Sequence, residues 1–211
     1  METENIIQIL IMTHVVFGSI ALISGAISMI TKKGDFLHKK SGTVFYYALL
    51  MATIISFIIS SMPNHKSPFL FFLGLFTLYF IIGGYRSLRF KEKNASFWID
   101  KIIAYTILFT GVFMMTYPIL FEGKINSILL VFGAVGILFG IVDLLLFQNL
   151  NTIKKNWLKI HLSKMISGYV ATVTAFIVNQ WNFGIWSWFT PTIFGNIFIV
   201  YWLIKLNRKK L

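Results

Sequence analysis

The sequence predicts an all-α membrane protein, a seven-transmembrane-helix bundle with its N-terminus outside and its C-terminus inside. Three observations carry that reading. Of the 211 residues, 57% are hydrophobic and only 12% charged, about half the roughly 25% charged content of a soluble domain. The apolar residues are blocked into runs of about twenty, the length that crosses roughly 30 Å of hydrocarbon. The basic residues gather in every second gap between those runs. Lipid cannot hydrogen-bond a backbone, so runs of this length must be helices. None alternates as a lipid-facing barrel strand would.

The elements follow in order as one transmembrane domain, with loops too short for a soluble one. The first span, residues 6–30, comes after an acidic Met-Glu-Thr-Glu-Asn start that lacks a basic n-region, and no small-residue cleavage site follows. It is expected to be retained rather than removed as a signal peptide. Within it His14, Gly18 and Gly25 recur at steps of 4 and 7, which makes one face with a small-residue groove. The second span is 41–62. The loop after it, with Pro63, His65 and Pro68, reads as solvated. The third span, 69–90, is rich in aromatic residues and reads as lipid contact.

Spans four and five are 97–121 and 125–146, and they bring Asp100 and Asp143. The sixth, 157–178, carries His161, Met165, Gly168, Thr172 and Asn179 at steps of 4, 3, 4 and 7. That stripe of polar, soft and small groups shares one face. The seventh, 188–206, follows a loop with Trp181, Trp186 and Trp188, which suits an interfacial aromatic belt.

Orientation comes from the lysines and arginines. Sixteen of the 19 basic residues lie in the first, third and fifth gaps and the C-terminal tail, which includes Lys209 and Lys210. The opposite side has Lys66 and Lys124. Positive-inside bias therefore predicts N-terminus out and C-terminus in. The net charge of +12 is explained by these clusters, and nucleic acid is not an expected partner. The partner is the bilayer. Zero cysteines exclude disulfides, thiolate metal sites and a cysteine nucleophile.

Ionisable groups in hydrocarbon are costly and mark candidate sites. Counting ~1.5 Å per residue from each span's centre puts Arg86, Asp100, Asp143 and His161 at one level, roughly 9–14 Å to the inner side of the midplane. With Thr172 and with His38, about 20 Å from the midplane, they form the predicted polar pocket. His14 stands apart, about 6 Å to the outer side. Three chemistries suit such a set. His38, Asp143 and His161 offer two imidazoles and a carboxylate to zinc or non-haem iron. Two histidines on facing helices offer axial ligands to a b-type haem. Arg86 paired with Asp100 or Asp143, beside a titrating histidine, offers a proton relay for a small transporter. Against all three stands a plain alternative, in which the charges only hold helices together in an accessory protein.

The pattern His14-x-x-x-Gly18, Gly25, Lys33-Gly34-x-x-x-His38-Lys39-x-x-Gly42 recurs with Gly84-Tyr85-Arg86-Ser87-Leu88, Asp100, Asp143-Leu144, Trp157-Leu158-x-x-His161-x-x-x-Met165 and Ala171-x-x-Thr174-Ala175-Phe176. Together these patches resemble a family of bacterial multi-pass predicted membrane proteins with a domain of unknown function. The resemblance implies a place in the bacterial cytoplasmic (inner) membrane. It also implies that His14, His38, Arg86, Asp100, Asp143 and His161 are family positions, and it carries no activity with them. A looser likeness to haem-binding helical membrane cytochromes lacks their two matched histidine pairs.

Overall fold

The computed structural model describes residues 2–181 and 184–208; Met1, Asn182, Phe183 and 209–211, with the predicted inner-tail lysines Lys209 and Lys210, lie outside the described residues. Among the described residues there are seven α-helices, one short 3₁₀ turn and no strand. The helices are α1 (Glu2–Ile30), α2 (Phe36–Ser61), α3 (Pro68–Arg86), α4 (Trp98–Glu122), α5 (Ser127–Leu146), α6 (Leu150–Gln180) and α7 (Trp186–Arg208). All seven are long and apolar enough to cross a membrane.

Capping residues account for where the helices begin. Asp35 accepts a hydrogen bond from the Phe36 amide and starts α2 five residues before the predicted span. Asn149 does the same for α6 through the Thr152 amide. That helix therefore starts seven residues early, in a polar turn that hydropathy alone leaves out. The predicted third span ends differently. α3 stops at Arg86 and a 3₁₀ turn, Ser87–Arg89, follows.

Neighbouring helices pair as α1 with α2, α4 with α5 and α6 with α7, while α3 and α6 join the pairs. α3 packs against α2, α4 and α6, and α6 reaches α1, α3, α5 and α7. Of α3's apolar window 56% is buried, against 6% for α7, so α3 is the centre and α7 the edge. This corrects the sequence reading of the α3 aromatics. Phe72, Phe76, Tyr79 and Phe80 are buried and form a core with Ile107, Met114 and Leu129, rather than a lipid-facing surface. A second core joins Ala21, Phe45, Leu49 and Ile81. The large apolar side chains that remain exposed, such as Met12, Phe109 and Phe194, face outward as lipid contact requires.

The lysine-rich gaps meet at one end of the bundle. Lys154 Nζ donates to the Lys93 carbonyl at 3.0 Å, Lys91 lies over the Trp157 ring, and Lys33 lies over Trp202. This is the basic end of the bundle.

Candidate functional site

Near the basic end, α3, α4, α5 and α6 each contribute charged or hydrogen-bonding groups to one buried cluster. Glycines bring the helices close enough for these groups to meet. On α5, Gly133, Gly136, Gly140 and Asp143 recur at steps of 3, 4 and 3, which makes a single face. A Cβ on Gly111 of α4 would stand 2.5 Å from the Gly133 carbonyl oxygen, and one on Gly140 would stand 2.9 Å from that of Ala104. The two backbones are therefore in contact, and Asp143 lies at the end of the seam. On α3, Gly83 and Gly84 receive α6. A Cβ on Gly83 would meet the Lys164 stem, and one on Gly84 would meet Met165.

This packing delivers two ion pairs whose carboxylates are buried. Asp143 pairs with Lys164 through Oδ2, and the same oxygen accepts the Tyr79 hydroxyl at 2.8 Å. The Lys164 ammonium also sits 3.9 Å from the centroid of the Tyr79 ring, a cation–π contact. Asp143 and Tyr79 are both buried. The second pair is bidentate: Arg86 Nε donates to Asp100 Oδ1 at 2.9 Å and Nη2 to Oδ2 at 2.8 Å. The Asp100 side chain is only 2% exposed. Between the pairs lies a cavity of about 10 Å³ lined by Asp100, Asp143 and Lys164 with Phe90, Ile103 and Phe147 among its apolar walls. That is about the space one water molecule needs. Lys164 is close enough to Asp100 to feel its charge as well as that of Asp143.

The histidines follow one pattern. His161 Nδ1 donates to the Gly84 carbonyl at 2.8 Å, His14 Nδ1 to Ala52 at 2.9 Å, and His38 Nδ1 to Ser28 at 2.9 Å. A carbonyl oxygen only accepts, so the neutral form of each ring carries its proton on Nδ1 and its lone pair on Nε2. His161 and His38 lie within electrostatic range of each other.

The structure brings some of the predicted residues near one another and leaves others apart. Arg86, Asp100 and Asp143 line or adjoin the cavity, and His161 sits one helical turn from Lys164. His38 instead anchors the base of the α1–α2 hairpin, and His14 ties α1 to α2. Thr172 does not join, because its hydroxyl donates to the Gly168 carbonyl of its own helix at 2.9 Å. Asn179 is exposed. The proposed metal ligands His38, Asp143 and His161 do not converge, and no group of three or more His, Asp or Glu among the described residues could hold a metal ion. Asp143 is engaged by an ammonium and a phenol instead. The cavity between the ion pairs, at about 10 Å³, is far below the roughly 300 Å³ of a small-molecule site and has no room for a haem at that place.

Two participants escaped the sequence reading. Lys164 reads as an interfacial lysine, and Tyr79 as one aromatic among many. The glycine–aspartate spacing on α5 was the available signal, because a carboxylate on a close-packed face needs a buried partner. His65, in the α2–α3 loop, has its Nε2 3.5 Å from Glu4 Oε2 of α1, both side chains being solvent-accessible.

Comparison of the chain with protein-family models, curated proteins and solved structures gave no match.

Proposed function

We propose that this is a multi-pass protein of the bacterial cytoplasmic membrane, N-terminus out and C-terminus in, that works as a small proton-coupled transporter. The observation that carries the reading is that Asp143 and Asp100, buried and paired with Lys164 and Arg86, line one water-sized cavity. The basic end, which supports the orientation, becomes the cytoplasmic end. The resemblance to bacterial multi-pass membrane proteins supports the compartment.

The chemistry follows from the cost of unpaired charge. A proton arriving at Asp143 neutralises the carboxylate and removes the partner of Lys164. The buried ammonium then has one remaining carboxylate nearby, Asp100 across the cavity, already shared with Arg86. Proton arrival therefore reorders the charges between α5 and α6 on one side and α3 and α4 on the other, which biases how those helices pack. Tyr79 holds Asp143 in place and supplies its ring to the ammonium. His161, with its Nε2 lone pair, is the relay residue next to Lys164. In this closed arrangement the site has room for a proton and one water, so a larger solute passes through another conformation.

The experiment is proton flux in proteoliposomes carrying a trapped pH dye under an imposed pH gradient. Asp143→Asn is expected to reduce pH-dependent flux at least about tenfold, equal to about 1.4 kcal/mol on the rate-limiting barrier. Wild-type protein that gives no flux above empty liposomes, or Asp143→Asn with undiminished flux, would leave the charges as structural pins and sink the reading.

A further inference from the structure

We infer that the basic end carries a site for one anionic lipid headgroup, formed by Lys33 of the α1–α2 turn with Trp202 and Lys205 of α7. It is separate from the interior ion pairs. The Lys33 ammonium stands 5.0 Å from the Trp202 ring centroid, and that of Lys205 stands 4.7 Å from the same centroid. Two positive charges from opposite ends of the chain thus converge on one indole. Among the described residues neither lysine forms an ion pair with a carboxylate. Two ammonium groups beside one ring with no carboxylate near them repel, and an anion bound beside that ring offsets the cost.

The other groups fit the same ligand. Lys33 Nζ donates to the carbonyl oxygens of Ser28, at 3.0 Å, and Met29. This caps the end of α1 and fixes the ammonium in place, and its third N–H remains for a ligand. Burial lowers the Lys33 pKa from its ordinary value, the situation a bound anion relieves. The Trp202 Nε1–H is buried and has no acceptor among the described residues. A phosphodiester supplies the negative charge and an acceptor for the free Lys33 N–H. The source is a lipid rather than soluble phosphate, because α7 is the edge helix and leaves Ile197, Val200, Tyr201 and Ile204 exposed on the approach to Trp202. Acyl chains cover such a surface, and indole rings favour headgroup depth.

The test is native mass spectrometry of the full chain in neutral detergent, titrated with phosphatidylglycerol, with folding checked by size-exclusion elution. Lys33→Ala/Lys205→Ala is expected to weaken the first lipid-binding step roughly 30-fold, from the attraction of about two lysines at a membrane surface. Lys33→Arg/Lys205→Arg retains binding, because charge is kept. If the double alanine variant misfolds for want of the α1 cap, Lys205→Ala alone is expected to weaken the step about fivefold. Lys39→Ala/Lys40→Ala removes equal charge from the same end and is expected to leave the step unchanged. An equal loss in that control, or full binding by Lys33→Ala/Lys205→Ala or, where that variant misfolds, by Lys205→Ala, overturns the site. Inorganic phosphate that binds in place of the lipid overturns the lipid assignment.

Discussion

Removing the Lys164 ammonium is the sharpest perturbation the structure offers. Lys164→Met keeps the length and apolar stem that pack on Gly83 but leaves Asp143 ionised, buried and held only by the Tyr79 hydroxyl. Breaking a buried pair from one side costs about 3–5 kcal/mol. Asp143→Leu strands the ammonium and costs a similar amount. The double variant Asp143→Leu/Lys164→Met has no charge left to strand. Its residual cost is the Tyr79 hydroxyl without an acceptor, about 1–3 kcal/mol, and adding Tyr79→Phe removes that too. The singles would sum to roughly 6–10 kcal/mol if independent, so the cycle predicts a coupling of several kcal/mol. At about 2–4 °C per kcal/mol for a chain of this size, each single is expected to melt roughly 6–20 °C below wild type in detergent, with the triple variant closest to it. Thermal unfolding followed by intrinsic fluorescence reads the order. Single losses that simply add in the double would refute the paired geometry. The triple variant also separates stability from transport, since it is expected to fold and to carry no pH-dependent flux.

Three further outcomes follow from other contacts. Arg86→Lys keeps the charge but gives up the bidentate fit to Asp100, and is expected to cost about 1.5–3 kcal/mol by the same melting assay. Gly111→Ala drives a methyl into the Gly133 backbone and is expected to lose about 1–3 kcal/mol. By contrast, Gly18→Ala meets nothing within 4 Å and is expected to gain up to about 1 kcal/mol of helix propensity, so two glycine variants of equal chemistry differ in sign. The Lys33 pKa lies below its unfolded value of 10.5, so the unfolded chain binds more protons in the window just under 10.5. The Lys33 contribution to stability in neutral detergent is therefore expected to rise with pH through that window, and the difference between wild type and Lys33→Met in pH-scanned melting would register it.

The helices were legible because hydropathy and length are properties of the chain itself. Asp143 and Asp100 could be singled out for the same reason, since a carboxylate in an apolar run is anomalous wherever it points. Their partners were not legible. Lys164 is one residue among many at an interface until α6 crosses α3 at Gly83, and Tyr79 is one aromatic in a row until α3 becomes the central helix. The ligand set His38, Asp143 and His161 failed on the same ground. Depth along the membrane normal is a property of each residue separately, while ligation depends on which helices are neighbours and which way each face turns.

By itself, then, the sequence determined seven helices long and apolar enough to cross a membrane, the clustering of basic residues in alternate gaps and the presence of costly polar groups among them. Those follow from local composition, because backbone groups in lipid must be satisfied within each segment. Tertiary structure alone decided that Asp143 meets Lys164 and Tyr79, that Arg86 takes Asp100, and that a space for one water lies between the pairs. Those contacts depend on glycine seams that fix helix neighbours and register, and several helix arrangements can bury the same stripes until backbone contact selects one.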